Sequence, residues 1–498
     1  MKIRATALAA GAVALALTLA GCSSSGTSAP TGSAATIAVG SLYEPTNLSN
    51  VDGGGQGITE AFNGNVYEGL FKLGDSGKVT PLLAKSYSSS SDGLTYTFHL
   101  RTGVHFHDGG TMTSADVKSS IERVLATDSQ SARKSSFEVV KSIATPDAST
   151  VVVHLKTRSI SFVYNLSYIW IVPASDTKLA TDEDGTGPYS LDQWKRGSSL
   201  TLTRYAKYWG TAAKNAGVEF DYFTNASSLT NALASGQVDI VTSIQSPDAL
   251  TQFEKNPDYT ITNGQSTTKE LLAFNDRVKP FNKVDVRKAV YSAINRKKLL
   301  SSIWGSYGTL IGSMVPPSDP WYENLTSVNP YSPTLAKKLL AKAGYPNGFT
   351  FTLDTPTYDP HPAVAQFLQS ELKKVGITVT INSISADEWY TKVYKDHNFT
   401  ATLQEHVNDR DIVFYGDPSF YWGYDNPTVI ADVKKAEQAR TTAGQTALLK
   451  KVNEQIAADA ASAWLYLYPQ IVVADSNISG YPVNGLNSQF YAYDIVAT

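Results

Sequence analysis

Charged and aromatic side chains are concentrated between residues 405 and 429, in the segment EHVNDRDIVFYGDPSFYWGYDNPTV. Asp409 and Asp411 flank Arg410, and Tyr421 and Trp422 follow in the same segment. A carboxylate can neutralise a ligand cation through a charge-assisted hydrogen bond, and aromatic rings suit a cleft that grips an amphipathic ligand. The segment therefore predicts ligand binding. The alternative is a surface loop in which Arg410 pairs with a neighbouring aspartate.

Motifs for catalysis and for metal binding are weak or missing. His105 and His107 would project from one face of a strand and could hold a metal, but the other histidines are scattered and no HExxH pattern occurs. The glycines at 53–55 lack the Gly-Lys-Ser/Thr of a phosphate loop, and no G-x-S-x-G elbow is present. The single cysteine, Cys22, leaves none for a nucleophile, a zinc site, an iron–sulfur cluster or a disulfide in the body of the protein. We predict no catalytic residue, no cofactor and no metal site.

The N-terminus has the pattern of an export signal. Lys2 and Arg4 precede a nearly continuous apolar stretch at 5–17, which is shorter than the roughly 20 apolar residues that a membrane-spanning helix needs. Residues 19–22, LAGC, resemble the lipoprotein processing box, in which the cysteine thiol is acylated before cleavage. A retained transmembrane anchor is the alternative. We predict a signal peptide at 1–21, lipidation of Cys22 and a flexible tether at 22–34.

The composition limits the classes of protein. A chain of 498 residues, with 42% hydrophobic and 17% charged residues, is typical of a soluble globular protein with two or three domains. The formal net charge is −3, so there is no general basic field that would attract nucleic acid.

Strand and helix signals alternate along the body without a repeat. Residues 94–100, LTYTFHL, alternate apolar and polar side chains, which predicts a strand. Val286 and Val290 belong to an apolar stripe at helical spacing, and Ser332 with Pro333 predicts the start of a further helix. The body is predicted to combine a β-rich first part with an α/β second part. Two such lobes imply a cleft.

Several sequence blocks occur in the order found in a known family. They are NVYEGLFKL at 65–73, PLLAKSY at 81–87, SDGLTYTFHLRTGVHFHDGGTMTSADVKSSIERV at 91–124, GTGPY at 185–189, YWG at 208–210, FNDRVKPFNKVDVRKAVYSAINRKKL at 274–299, AKKLLAKAGYPNGF at 336–349 and VGIT at 375–378. The chain resembles the extracytoplasmic solute-binding proteins of ABC importers, in the family that carries oligopeptides, dipeptides and nickel. The blocks cover nearly the whole mature chain. Within them, FHDGG matches a structural turn of the family, which favours a structural role for His105 and His107.

The resemblance implies an α/β fold, a bilobed clamp of the type II periplasmic-binding-protein kind with an extra small β-rich domain. Such clamps close on their ligand by hinge bending. Carried onto this chain, lobe I would comprise residues 35–64, 186–265 and 468–498, the extra domain residues 65–183, and lobe II residues 269–467.

The resemblance also implies a function. The chain would be a lipid-anchored receptor that captures short peptides in the interlobe cleft and delivers them to the permease and ATPase subunits of an ABC importer. It would be a monomer on the extracytoplasmic face of the cell membrane, and it would not be an enzyme. The alternatives are the same fold binding a nickel chelate, an oligosaccharide or another polar solute, a signalling or cell-wall regulator, and an exported hydrolase.

In peptide-binding relatives the second lobe supplies a carboxylate that pairs with the ligand's α-ammonium, and the resemblance implies Asp409 or Asp411 for this role. The tryptophan that usually precedes the acid is absent, and His406 or Val407 stands near its place, so the register stays open. The predicted ligand-binding residues are Asp409, Asp411, Arg410, Glu405, Tyr421, Trp422, Tyr43, Glu44, Asn275, Trp304 and Tyr307.

Overall fold

The computed structural model describes residues 35–53, 55–242, 244 and 247–498. The predicted signal peptide at 1–21, the predicted lipidation site Cys22 and the tether at 22–34 lie outside these residues. Within the described part of the chain, every helix is too short or too polar to cross a membrane.

The described residues alternate between strands and helices. The strands are β1 (Thr36–Ser41), β2 (Phe71–Leu73), β3 (Val79–Pro81), β4 (Ala84–Ser89), β5 (Thr95–Leu100), β6 (Val140–Asp147), β7 (Thr150–Leu155), β8 (Tyr189–Lys195), β9 (Ser199–Arg204), β10 (Gly217–Tyr222), β11 (Ile240–Val241), β12 (Tyr259–Phe274), β13 (Thr350–Pro356), β14 (Thr378–Ile384), β15 (Ala401–His406), β16 (Ser462–Asp475), β17 (Ile478–Ser479) and β18 (Val496–Ala497). The helices are α1 (Gln56–Phe62), α2 (Ser114–Leu125), α3 (Lys134–Phe137), α4 (Phe162–Leu166), α5 (Ala226–Ala234), α6 (Val284–Ala293), α7 (Arg296–Trp304), α8 (Pro333–Lys342), α9 (His361–Lys373), α10 (Ala386–Trp389), α11 (Pro427–Glu437) and α12 (Thr442–Ala458).

One large mixed sheet connects the two halves of the molecule. Its strand order in the described residues is β14-β13-β15-β12-β16-β11-β1-β10-β9-β8. We call β1, β8–β11, α1 and α5 lobe I, and β13–β15 with α6–α12 lobe II. The long strands β12 and β16 lie between them and pair with each other along most of their length. The sheet therefore has two ends, each with its own core, joined by one pair of strands.

Lobe I is built on strands whose alternate residues are apolar. β1 runs parallel to β10 and to β11, and β9 and β8 continue the sheet antiparallel. Successive side chains of a strand point to opposite faces, so residues two apart share a face. The shared face that packs on the core carries Ile37 and Val39 of β1 and Val218 and Phe220 of β10, which are fully buried. These residues form one core cluster with α1.

The extra domain comprises β4–β7 and α2–α4, which lie in sequence between β1 and β8 of lobe I. Its sheet has the strand order β4-β5-β7-β6. The strand predicted at 94–100 is β5, and its apolar residues Tyr96, Phe98 and Leu100 are buried in a separate core with helix α2. Thr113 and Asp116 form a capping box that starts α2. A separate core identifies this segment as a distinct unit of packing.

Lobe II contains the helices predicted from the sequence. Val286 and Val290 of α6 are fully buried, as their spacing predicts. Ser332 caps α8 by accepting a hydrogen bond of 3.2 Å from the backbone N–H of Leu335, with Pro333 in the first turn. These helices cover β13–β15 and form a single large core with them.

The pairing of β12 with β16 changes register at the junction of the lobes. Residues from Tyr259 to Gln265 pair with the end of β16, and the register shifts between Gln265 and Lys269 before β12 pairs with β15 of lobe II. Such irregularities bend a strand. The change from lobe I to lobe II after residue 265 stays a prediction.

Candidate functional site

A cavity of about 730 Å³ opens beside this bend. Lobe I, lobe II, the bend and the C-terminal segment all contribute to its wall. The described lining residues are Tyr43, Gln56, Glu60, Thr242, Ile244, Ser266, Thr268, Trp304, Glu405, Tyr468, Pro469, Gln470, Gly485, Ser488, Gln489 and Phe490. We call this cavity the cleft.

Glu60 of α1 forms the acidic part of the lobe I wall. Its carboxylate accepts hydrogen bonds of 2.5 Å from the Ser41 hydroxyl and 2.7 Å from the Thr242 hydroxyl. Burial raises the pKa of Glu60, and the two hydroxyl donors oppose that rise. Gly57 allows α1 to approach this wall, because a Cβ there would lie 2.3 Å from the carbonyl oxygen of Tyr43.

Glu405 of β15 forms the acidic part of the lobe II wall. The Tyr358 hydroxyl donates to its carboxylate over 3.5 Å. Burial raises the pKa of Glu405, and the neighbouring carboxyl of Glu270 raises it further, while His361 opposes the rise. Strand pairing explains this proximity because Glu270 of β12 lies opposite Glu405.

Glu270 lies directly behind the cleft and is fully buried. One of its oxygens, Oε2, accepts a hydrogen bond from Tyr468 and lies 3.5 Å from His361 Nε2, whereas Oε1 has no hydrogen-bond partner in the described residues. Burial raises the pKa of Glu270 to about 8 and lowers that of His361. These shifts favour the protonated form of Glu270 and the neutral imidazole of His361.

The charged side chains among the described lining residues of the cleft are all acidic. Glu60 and Glu405 line it from opposite lobes, and its described lining residues include no lysine, arginine or histidine. Trp304 also lines it, with 1% of its surface exposed. No group of three or more His, Cys, Asp or Glu side chains among the described residues is arranged to hold a metal ion. The cleft can accept hydrogen bonds from a cationic group and donate one to a ligand acceptor.

The family model "Bacterial extracellular solute-binding proteins, family 5 Middle" matches residues 78–447. The chain belongs to this family. It is 29% identical over 474 residues to the glutathione-binding protein GsiB of Pectobacterium atrosepticum, covering 88% of this chain and 89% of the relative. It is therefore a solute-binding receptor of an ABC importer that works outside the cytoplasm with permease and ATPase subunits, and the prediction of a binding protein rather than an enzyme is confirmed.

Solved structures confirm the predicted bilobed clamp. The Helicobacter pylori periplasmic binding protein DppA, in complex with the peptide STSA, superposes with a TM-score of 0.81 at 23% identity, covering 94% of this chain and 99% of DppA. The binding protein AgaA of A. tumefaciens R10, in complex with agropinic acid, superposes with a TM-score of 0.79 at 25% identity, covering 93% and 99%. One clamp architecture thus holds chemically different ligands in different proteins.

The structure brings three of the predicted residues of this receptor together in the cleft. These are Tyr43 from lobe I and Trp304 and Glu405 from lobe II. Glu44, next to Tyr43, instead accepts hydrogen bonds of 2.9 Å from the Trp194 indole and the Gly197 backbone. Although Tyr43 and Glu44 are adjacent in sequence, only Tyr43 of the two lines the cleft.

The predicted residues Asp409, Arg410 and Asp411 line a second cavity, of about 1590 Å³, between the extra domain and lobe II. Asp411 is buried, with Lys269 Nζ at 3.2 Å and His406 Nδ1 at 3.4 Å. Burial opposes its charge, but Lys269 and His406 outweigh burial and lower the pKa of Asp411.

Asp409 and Arg410 contact the extra domain. The hydroxyl of Tyr164 donates to Asp409, and the Asn487 amide donates to it over 3.0 Å. The Arg410 guanidinium lies 3.4 Å from the centre of the Tyr164 ring, a cation–π contact. Arg410 Nε lies 3.8 Å from Asp409 Oδ2, so the predicted pairing of Arg410 with a neighbouring aspartate occurs with Asp409, but in a buried position rather than in a surface loop.

The other predicted residues are parts of the packing of lobe II. Trp422 stacks on Tyr415 with ring centres 4.4 Å apart, and Tyr421 is buried beside it. The Asn275 amide donates to the carbonyl oxygens of residues 397 and 399, which ties the end of β12 to the start of β15. Tyr307 is partly buried against the lobe II core.

Sequence reasoning missed Glu60, Glu270 and Tyr468. A signal existed for Glu60, because it is the acid in the otherwise uncharged helix QGITEAF and lies between buried residues. Glu270 follows Lys269 in a strand that is otherwise apolar from residue 271 to 274. A charge on a buried face is the pattern that points to such residues.

Proposed function

We propose that this receptor captures a short peptide in the cleft and delivers it to its permease, and that lipid on Cys22 holds it at the membrane. The observation that carries the proposal is the cleft itself, a cavity of about 730 Å³ beside the bend of the two connecting strands and lined by polar groups from both lobes. A ligand in this position would contact both lobes and favour the closed clamp. The peptide bound by DppA and the glutathione of GsiB support a peptide ligand.

Native mass spectrometry of the purified receptor tests the ligand. We expect a set of peptide masses bound to the protein. A metal–chelate mass or an oligosaccharide mass would contradict the peptide proposal and favour the corresponding alternative. Incubation with labelled peptides should leave them uncleaved.

The proposed role of Asp409 or Asp411 as partner of the ligand's α-ammonium has its own test. A ligand reaching these acids would exchange existing bonds, those of Asp409 to Tyr164 and Asn487 and those of Asp411 to Lys269 and His406. Calorimetric titration of Asp409→Asn and Asp411→Asn with a free peptide and its N-acetylated form measures the role. If neither substitution selectively weakens the free peptide, the assignment is wrong.

The proposed anchor is tested by membrane fractionation of cells. The native chain should sediment with membranes and yield a diacylated N-terminal fragment by mass spectrometry. The variant Cys22→Ser should lose the acyl mass and leave the membrane fraction. An unchanged distribution would contradict lipid anchoring.

A further inference from the structure

The cavity between the extra domain and lobe II holds an arginine from each of these two parts. Arg133 stands at the start of α3 in the extra domain, and Arg410 follows β15 in lobe II. Both line the cavity of about 1590 Å³ that also contains Asp409 and Asp411 in its wall. We call it the side cavity. Its wall therefore presents guanidinium groups from two parts of the fold to one shared space.

Each of these guanidinium groups is stacked on a tyrosine ring. The Arg133 guanidinium lies 3.6 Å from the centre of the Tyr168 ring, and the Arg410 guanidinium lies 3.4 Å from the centre of the Tyr164 ring. The two tyrosines are four residues apart at the end of α4, and their ring centres are 5.5 Å apart. Stacking holds a guanidinium by its flat face, so its N–H edges stay available to acceptors in the plane.

The donors of both arginines are underused. Arg410 Nε is buried and has no hydrogen-bond partner among the described residues. Asp409 Oδ2 lies 3.8 Å from this atom, too far for a hydrogen bond. For Arg133, the described residues supply the Tyr168 ring as a contact and no ion-pair partner. A guanidinium carries five N–H donors, and buried donors without acceptors cost free energy, so the side cavity has unused binding capacity for an acceptor.

The acids of the side cavity already have partners of their own. Asp411 pairs with Lys269 Nζ at 3.2 Å. Asp409 accepts hydrogen bonds from the Tyr164 hydroxyl and from the Asn487 amide. The other charged lining residues are two basic and two acidic side chains, which are Arg158, Lys434, Asp417 and Glu437. The cavity is therefore not a purely acidic site.

The charge beside the stacked arginines is positive. Lys269 offsets the charge of Asp411, which leaves Asp409 to face the two arginines. Asp319 accepts a hydrogen bond of 3.1 Å from the Arg410 backbone N–H, but burial and the neighbouring Asp409 raise its pKa to about 8 and favour its neutral form. Among the described residues, the stacked arginines thus carry more positive charge than their acidic neighbours balance, and they attract an anion.

We propose that the side cavity binds an oxyanion of the carboxylate or phosphate class, which accepts hydrogen bonds from Arg133 and Arg410 and joins the extra domain to lobe II. The forked edge of a guanidinium matches two oxygens of such a group. The cleft and the side cavity share no described lining residue, so this inference goes beyond the proposed capture of a peptide in the cleft.

The oxyanion can be a free anion or the acidic side chain of a bound peptide, and matched probes distinguish these sources. Inorganic phosphate and succinate are the free anions, and N-acetyl-Ala-Asp-Ala amide is compared with N-acetyl-Ala-Asn-Ala amide. Each probe is titrated by calorimetry at low ionic strength into the native receptor, Arg133→Gln, Arg410→Gln and Asp409→Asn. The control is Arg440→Gln, which removes one positive charge from an exposed position.

The native receptor should bind at least one anionic probe. Arg133→Gln and Arg410→Gln should each weaken that probe about tenfold or more, and Arg440→Gln should leave it unchanged. Asp409→Asn should strengthen it, because the Asp409 carboxylate repels an anion beside Arg410. The proposal is overturned if no anionic probe binds, if either arginine variant binds like Arg440→Gln, or if Asp409→Asn binds more weakly.

The same titrations identify the source of the oxyanion. A preference for the acidic peptide that both arginine variants lose would assign the site to the peptide ligand. Binding of phosphate or succinate without such a preference would assign it to a free anion. Failure of both peptides to bind would count against the peptide function alone, because the free anions do not depend on it.

Thermal unfolding separates a loss of the site from a loss of structure. A bound anion raises the Tm of the native receptor by mass action. Because phosphate also stabilises folded proteins without a specific site, the rise is compared with that in Arg440→Gln. Arg133→Gln and Arg410→Gln should unfold cooperatively and show a smaller rise with the probe that binds. A rise as large as in Arg440→Gln would overturn the proposal.

Discussion

The hydroxyl of Ser161, at the start of α4 in the extra domain, donates a hydrogen bond of 2.7 Å to the carboxylate of Glu437 at the end of α11 in lobe II. Ser159 donates to the same carboxylate over 2.5 Å, and the backbone N–H of Ile160 donates to the Glu437 carbonyl over 2.9 Å. We call Ser159, Ser161 and Glu437 the latch. The latch joins the extra domain directly to lobe II, and none of its residues belongs to the connecting strands β12 and β16.

Removing the latch should favour the open clamp. Glu437→Ala deletes the hydrogen bonds from the Ser159 and Ser161 hydroxyls, and because each such bond is worth about 1 kcal/mol net, we expect a bound peptide to dissociate about 30-fold faster. Stopped-flow dissociation of a fluorescent peptide measures the rate. The control is Glu454→Ala, an exposed acid of the neighbouring helix α12. Equal rates in native protein and Glu437→Ala would show that the latch does not stabilise the closed form.

The ion pair of Lys269 with Asp411 should be essential for stability. Both side chains are buried, at 0% and 4% exposure. Lys269→Met would leave the Asp411 carboxylate buried without its lysine, and removing one partner of a buried pair costs about 3 to 5 kcal/mol. Urea unfolding measures the change in the free energy of unfolding.

The matched control for that experiment is Lys342→Met. Lys342 pairs with Asp285, but its side chain is 70% exposed, so the expected loss is below about 1 kcal/mol. Similar losses for the two lysine variants would mean that burial does not set the strength of the Lys269 pair.

Glu270 should make stability fall as pH rises above neutrality. Its pKa is about 8 in the folded protein, against an ordinary value of 4.5. Between those values the folded state holds a proton that the unfolded state has released, so the free energy of unfolding falls by up to about 1.4 kcal/mol per pH unit. His361 contacts Glu270, and the lowered pKa of this histidine gives the opposite slope below its ordinary value of 6.5. The window for Glu270 is therefore pH 6.5 to 8.

Comparison with Glu270→Gln isolates this contribution. The other groups that face Glu270 are the hydroxyls of Tyr466 and Tyr468, whose pKa values burial raises, and the carboxyl of Glu405. Urea unfolding at pH 6.5, 7.2 and 8 should give a flatter pH dependence for Glu270→Gln than for the native protein. Parallel curves would contradict a protonated Glu270.

Gly57 should be intolerant of a side chain. A Cβ at this position would lie 2.3 Å from the Tyr43 carbonyl oxygen, so Gly57→Ala must displace α1 or the segment that carries Tyr43. We expect a loss of about 1 to 3 kcal/mol in the free energy of unfolding and weaker peptide binding, because Glu60 moves with the helix. Gly444→Ala in α12 is the control, since its nearest neighbour lies 3.3 Å away and alanine favours helix. Unchanged peptide affinity in Gly57→Ala would contradict the role of Gly57 in placing Glu60 in the wall of the cleft.

Local patterns in the sequence were sufficient for many elements. The alternation at 94–100 predicted β5, and Ser332 with Pro333 predicted the start of α8. These signals are local because a strand's side-chain alternation and a helix cap are satisfied by residues a few positions apart. The order of the sequence blocks then indicated the family and with it the clamp.

The contacts of the predicted binding residues could not be predicted from the sequence, because the contacting groups lie far apart along the chain. Asp411 pairs with Lys269, and Trp422 stacks on Tyr415. A charged or aromatic side chain has the same local pattern whether its partner is a ligand or another part of the chain.

By itself, the sequence determined the clearest strands and helices through short-range periodicity, and the order of its motifs indicated the family, whose resemblance implied the bilobed α/β architecture. Only the tertiary structure decided which acids share a cavity. Glu60 and Glu405 lie far apart in sequence, and they line one cleft because β12 and β16 carry the two lobes to either side of one bend. The electrostatic potential in a site depends on the distances between charged side chains, and the tertiary structure sets those distances.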